Sequence, residues 1–203
     1  KSKYPKAAVV CYVNTSADVK AESDICCTSA NAVKVVKNID AREIIFIPDQ
    51  NLGAYVQKQV PEKRIILFEG YCYVHHRIKK AEIEEMKNKY PEARVIVHPE
   101  VRAEVVEIAD EVLSTSQMLK YVSQPGNLEY IVATEQGLLE RMKREHPEKI
   151  FLPALRPKIC SNMKRTSLRD VYDSLKEEKY EIVIEDLISK KAFNALDKML
   201  QYV

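Results

Sequence analysis

The chain has 203 residues, enough for one large domain or two small ones, each with a core of its own. It is 46% hydrophobic and 31% charged, and its 32 basic and 30 acidic residues interleave to a net charge of +2, without the basic, aromatic-laced stripe that binds nucleic acid. No apolar run approaches the ~20 residues of a membrane span, and nothing at the start reads as a signal peptide, so the expectation is a cytoplasmic protein without nucleic acid or membrane as partner.

In chain order, a strand predicted at 7–12 is followed by helical patterns at 16–23 and 31–38. A strand at 43–47 leads to a helix at 52–59, and one at 64–68 to a helix at 78–89. The same alternation resumes with strand 94–97, helices 103–109 and 117–122, strand 129–132, helix 137–144, strand 149–152 and helix 168–178. These strands are β-branched and nearly continuous in apolar character, as strands covered on both faces are. Alternation of strand and helix implies right-handed crossovers and mostly parallel sheets.

The sequence also repeats itself. NTSADVKAESD, ending at Asp24, matches PEVRAEVVEIAD, ending at Asp110, an offset of 86. At that offset Tyr12 falls on His98, Asn14 on Glu100, Ser29 on Thr115 and Asp49 on Glu135. Cys72 and Cys160 pair at an offset of 88. The reading is two tandem three-layer α/β/α repeats with small parallel sheets. The first spans 1–90, the second 91–178, and a C-terminal segment follows at 179–203.

Ligands of parallel α/β units bind beyond the carboxyl ends of the strands, where loops enter helices. Each repeated polar residue sits at such a place, so both sets point to one shared crevice. Ser29 and Thr115 read equally as N-caps or as holders of a carboxylate or phosphate at a helix N-terminus. His98 is open between a backbone-bonded structural role and a site role. His146 is an exposed turn residue.

Five cysteines at irregular spacing argue against a disulfide framework. Cys11, Cys26 and Cys27 lie in apolar stretches and read as core thiols. Cys72 and Cys160 lie in loops after strands and match across the repeat. Without a CxxC spacing they do not make a closed zinc site, but they suit a cluster held jointly by several domains.

Read together, YVNTSADVKAESDICCTSANAVKVV, IPDQNLGAYVQKQ, EGYCYVHH, VHPEVRAEVVEIADEVLSTSQM, IVATEQGLLERM, ICSNMKRTSLRDV and the tail EDLISKKAFNALDKML resemble the quinolinate synthase family nearly end to end. The resemblance implies a pseudo-threefold architecture of three similar α/β domains around a central [4Fe–4S] cluster, one cysteine from each. It implies condensation of iminoaspartate with dihydroxyacetone phosphate to quinolinate, with loss of phosphate and water, on the route to NAD. L-Aspartate oxidase is the implied supplier of iminoaspartate.

By the same resemblance Cys72 and Cys160 are two of the three cluster ligands, and Tyr12, Asn14, Ser29, His75, His98, Glu100 and Thr115 line the substrate pocket. Glu100, with Tyr12 and His98, is the expected proton-transfer group. The sequence begins at Lys1 without an initiator Met. The third cysteine and the first domain are expected upstream, with segment 179–203 returning to that domain. Two other readings stand beside this one: a diphthamide-synthesis-type iron–sulfur enzyme, which lacks the HPE and TSANA motifs, and a non-catalytic two-domain module that binds small carboxylates.

Overall fold

A computed structural model describes residues 1–202. Its strands are β1 (Ala8–Tyr12), β2 (Ile25–Cys27), β3 (Glu43–Ile47), β4 (Arg64–Leu67), β5 (Arg94–Val97), β6 (Glu111–Val112), β7 (Glu129–Ala133) and β8 (Ile150–Pro153). They form two four-stranded parallel sheets with the same order, β2-β1-β3-β4 and β6-β5-β7-β8. The tandem α/β/α architecture expected from the repeat is therefore present. The helices are α1 (Ala17–Ala21), α2 (Ala32–Asn38), α3 (Gln50–Gln59), α4 (Tyr73–His76), α5 (Lys80–Lys89), α6 (Ala103–Val106), α7 (Thr115–Val122), α8 (Gln136–Glu145), α9 (Leu168–Glu177) and α10 (Asp186–Leu200).

Two edge strands, β2 and β6, were not expected from the sequence. They begin one residue after the repeated Asp24 and Asp110. In each unit that aspartate ties the edge to the first strand: Val9 N–H donates to Asp24 and Val95 N–H to Asp110, both at 2.7 Å. The helix expected over 78–89 is present as α5 from Lys80, and a further short helix not expected from the sequence, α4, follows Cys72. The segment expected as helix over 103–109 is helical only to Val106.

Because side chains alternate across a strand, each sheet feeds two apolar layers. Val10, Ile44 and Phe46 face α2 and α3, while Cys11 and Cys26 face α1 and α10. In the second sheet Val95, Val97 and Ile131 face α5 and α6, and Ile96, Tyr130 and Val132 face α7 and α8. Helix α5 follows the first sheet in sequence but buries Ile83 and Met86 against the second. Its counterpart at an offset of 88 is α9. At α5 the Glu82 carboxylate accepts the Lys79 N–H, and at α9 Ser167 and Asp170 form a reciprocal capping box. Helix α9 has no buried residue, and its Leu168, Val171, Tyr172 and Leu175 are exposed. Helix α10 lies on α1 and β2. Among the described residues no helix is long and apolar enough to cross a membrane.

Candidate functional site

The carboxyl ends of the two sheets meet along one seam. At the end of β5 the chain turns through His98, Pro99 and Glu100, with His98 N–H bonded to the Ala133 carbonyl and Val101 N–H to the His98 carbonyl. This buries His98 (2% exposed) and Glu100 (4%). From the first unit, Asn51 Nδ2 donates to the Glu100 carbonyl at 3.0 Å and lies 3.0 Å from His76 Nδ1. Helix α4 delivers His75 to the same spot.

A buried carboxylate survives only if it is paired and hydrogen-bonded. Glu100 Oε2 lies 3.1 Å from His75 Nδ1 and 3.2 Å from His98 Nδ1, and the two imidazoles stack with centroids 4.4 Å apart. Burial alone would raise the Glu100 carboxyl, but the hydrogen bonds and charges of His75 and His98 outweigh it and bring the pKa down to about 2. Burial opposes charge on His75 too, yet its bonds to Cys72 and Glu100 and their charges pull it up to about 9. His98 is lowered, by burial first and by the His75 charge, against Glu100. At neutral pH the proton of this trio therefore rests on His75, Glu100 is ionised and His98 is neutral.

The network continues in both directions. His98 Nε2 lies 3.2 Å from Ser29 Oγ, and the Tyr12 phenol stands close enough to feel both Ser29 and Glu100. Burial, with the charge of Glu100 adding to it, raises the Tyr12 phenol to about 12. At the other end His75 Nδ1 is 3.3 Å from Cys72 Sγ, and His75 Nε2 is 3.0 Å from Thr134 Oγ1. A single run of polar side chains thus links Ser29, His98, Glu100, His75 and Cys72 across the two units, with Tyr12 beside its Ser29 end. Among the described residues, Cys72, His75 and Glu100 are also the group whose sulfur, nitrogen and oxygen lie within 4.8 Å of one another.

The two loop cysteines are held by a repeated device. Asp49 caps α3 by accepting from Leu52 N–H at 2.7 Å, and its second oxygen accepts Cys72 N–H at 2.7 Å. Glu135 caps α8 by accepting from Gly137 N–H at 2.6 Å, and its second oxygen accepts Cys160 N–H at 3.1 Å. The loop backbones follow suit, Gln50 N–H to the Gly70 carbonyl and Gln136 N–H to the Lys158 carbonyl, both at 2.8 Å. Gly70 is required here because a Cβ would strike the Pro48 carbonyl. Tyr73 then joins the two loops: its hydroxyl accepts from Ser161 N–H at 2.8 Å and donates to Cys160 Sγ at 3.6 Å.

Of the residues singled out from the sequence, the structure brings Tyr12, Ser29, His75, His98, Glu100 and Cys72 into contact and ties Cys160 to the Cys72 loop through Tyr73. Asn14 and Thr115 are exposed and lie outside the hydrogen-bonded run. Ser29 and Thr115 are not the helix caps; those positions belong to Asn31 and Ser114, and Thr115 is the first residue of α7 itself. Sequence reasoning assigned no role to Thr134, Asn51 or Tyr73. For Asp49 and Glu135 the repeat offset was a usable signal, since both stand where a parallel strand enters a helix.

A family model described as Quinolinate synthetase A protein matches residues 1–201. A quinolinate synthase of Alkaliphilus metalliredigens is 47% identical over 201 residues, 99% of this chain and 66% of the relative. Quinolinate synthase 2 of Methanosarcina acetivorans is 48% identical over 200 residues, 98% of this chain and 64% of the relative. A quinolinate synthase of Dehalococcoides mccartyi is 49% identical over 203 residues, 100% of this chain and 67% of the relative. The chain thus spans about two thirds of the length of the curated relatives it matches.

Proposed function

The chain belongs to the quinolinate synthetase A family, and we propose that it supplies two of the three α/β units of a quinolinate synthase. The proposed reaction condenses iminoaspartate with dihydroxyacetone phosphate, releasing phosphate and water, to give quinolinate for NAD synthesis in the cytoplasm. L-Aspartate oxidase is the proposed source of iminoaspartate. The observation that carries this reading is the run Ser29–His98–Glu100–His75–Cys72 at the seam of the two sheets, buried at its His98–Glu100–His75 centre.

Support for a third unit comes from α9. Its counterpart α5 covers the sheet of the following unit, whereas the apolar face of α9 has no such cover. A following sheet, closing a threefold ring, would bury it.

The donors present fit a [4Fe–4S] cluster. Cys72 and Cys160 are free thiols in equivalent loops, their N–H groups fixed by equivalent carboxylates. Burial raises the Cys160 thiol, but the N–H groups of Met163 and Asn162 and the Tyr73 hydroxyl bring it below its ordinary value, toward the thiolate that such clusters need. A third cysteine would come from the third unit. When bound, the cluster would supply a Lewis-acidic iron that assists loss of water.

The chain's own residues would do the rest. Ser29 Oγ and the Thr115 hydroxyl, the latter in the first turn of α7, would hydrogen-bond a substrate carboxylate or phosphate. The exposed Asn14 amide would orient a substrate oxygen. Glu100, ionised between two imidazoles, would accept a proton during tautomerisation and ring closure, with His75 holding the proton to be returned. His98, bonded to Ser29, and the neighbouring Tyr12 would extend this path toward substrate.

A second reading has one observation behind it: the Cys72–His75–Glu100 group offers the donors of a single divalent ion. Anaerobic purification of the complete gene product, with iron, sulfide and zinc analysis and a quinolinate assay, separates the two. Iron and sulfide in equal amounts with quinolinate formed is the expected result. One zinc without sulfide would favour the second reading, and a colourless protein that makes quinolinate would overturn the cluster assignment.

A further inference from the structure

Away from the seam, β1 and β2 pair in parallel with Cys11 directly opposite Cys26. Both side chains point to the face covered by α1 and α10, and their sulfurs are 3.5 Å apart. Adjacent strands lie ~4.7–4.9 Å apart, inside the ~4.4–6.8 Å window of Cα separations that a disulfide spans. Both cysteines are fully buried and free. Their cover is the last helix, whose Ala195, Leu196 and Met199 pack on them. Cys27, the next residue, faces the opposite layer with Val10 and Phe46 and provides a built-in comparison.

We propose that Cys11 and Cys26 are a reactive dithiol that closes to a reversible disulfide when a peroxide reaches it, with α10 as the cover that sets the rate. In the first step the Cys11 sulfur attacks one peroxide oxygen. The O–O bond breaks, water leaves and a sulfenic acid remains. The Cys26 sulfur then attacks the Cys11 sulfur, the S–O bond breaks, and a second water leaves with the Cys26 proton. Two thiols and one peroxide give one disulfide and two waters, the sulfurs being oxidised and the peroxide reduced.

Local chemistry makes Cys11 the attacking partner. The hydrogen bond from Cys26 pulls its thiol down to about 6 against burial, with Ser23, Thr15 and the charge of Lys20 helping, while the same bond pushes Cys26 up. Helix α10 is suited to open because it reaches the first unit through side-chain packing and a few surface polar contacts, such as Lys198 Nζ to the Asp24 carbonyl and Lys191 with Glu22.

The test is hydrogen peroxide added to reduced protein, followed by acid quench, alkylation and peptide mapping. The expected product has lost the mass of two hydrogens, carries a Cys11–Cys26 bridge with Cys27 alkylated, and returns to the starting mass with a dithiol reductant. Leu196→Ala, which loosens α10, should speed bridging by about tenfold or more while circular dichroism stays that of the parent. Recovery of Cys11 and Cys26 as separate thiols or sulfinic acids, or a bridge to Cys27, would overturn the proposal. A bridging rate unchanged in Leu196→Ala would overturn the role given to α10.

Discussion

The first unit ends β1 in Tyr12 and leaves Asn14 exposed in the turn beyond it; the second follows β5 directly with His98 and buries Glu100 at the matching place. Sheet order, edge-strand aspartates and the carboxylates that hold Cys72 and Cys160 are the same in both. The charged groups are not. Only the second unit places a carboxylate between imidazoles, and one of those imidazoles, His75, comes from the first. A duplicated scaffold thus holds a site whose chemistry is unshared, and its polar core exists only where the two units touch.

The sharpest way to break this comparison is Glu100→Gln, which keeps the shape and removes the charge. Turnover of the complete enzyme should fall by about 10²–10⁴-fold, the usual worth of a positioned acid–base group. Stability of the metal-free chain should change its pH dependence as well. Glu100 is depressed to about 2 in the fold, so its contribution is present above an unfolded value of ~4.3 and is lost as pH falls toward 2. His75 is raised to about 9, so its contribution is present below ~6.5 and is lost as pH rises through 9. Urea midpoints measured across pH should show both arms in the parent, the acid arm gone in Glu100→Gln and the alkaline arm reduced. Normal turnover in the variant would remove Glu100 from the mechanism.

The next largest effect tests whether the two carboxylate devices are equal. Asp49 is 2% exposed and both its bonds are 2.7 Å, so Asp49→Ala strands a helix end and the Cys72 N–H in a dry place. A loss of about 2–4 kcal/mol in denaturant unfolding is expected, from a missing cap and an unsatisfied donor. Glu135 holds Cys160 N–H at 3.1 Å in a half-open loop where water can substitute. Glu135→Ala should cost about 1–2 kcal/mol. Equal costs would mean that the second loop is as tightly held as the first.

Much of this organisation was legible in the sequence because it rests on local signals. Six of the eight strands are continuous β-branched runs, and the repeat of Asp24 at Asp110 announces the duplication. The edge strands Ile25–Cys27 and Glu111–Val112 escaped notice because three and two residues are too few to show a period. The short helix α4 escaped notice because its four residues, Tyr73–His76, are likewise too few to show a helical period. The pairing of His75 with Glu100 and Thr134 joins residues 25 and 59 positions apart from different units, and no spacing rule in one chain reports such a meeting. Asp49 and Glu135 stood at the repeat offset, but their grip on the cysteine loops depends on the second carboxylate oxygen, which only the folded loop positions.

The smallest expected effects belong to the hydroxyl pair, and they decide whether repeat-equivalent residues share a role. Ser29 Oγ bonds His98 inside the seam, whereas Thr115 sits exposed at the start of α7 behind its own cap, Ser114. Ser29→Ala should lower stability by about 0.5–1.5 kcal/mol, because the buried His98 Nε2 loses its partner. Thr115→Ala should stay within about 0.5 kcal/mol of the parent, as exposed substitutions do. If both hydroxyls hold substrate anions, KM rises in both variants while only Ser29→Ala also loses stability. A Thr115→Ala enzyme with unchanged KM would make Thr115 an ordinary first-turn residue, and the asymmetry seen between the two units would then extend from their buried charges to their substrate contacts.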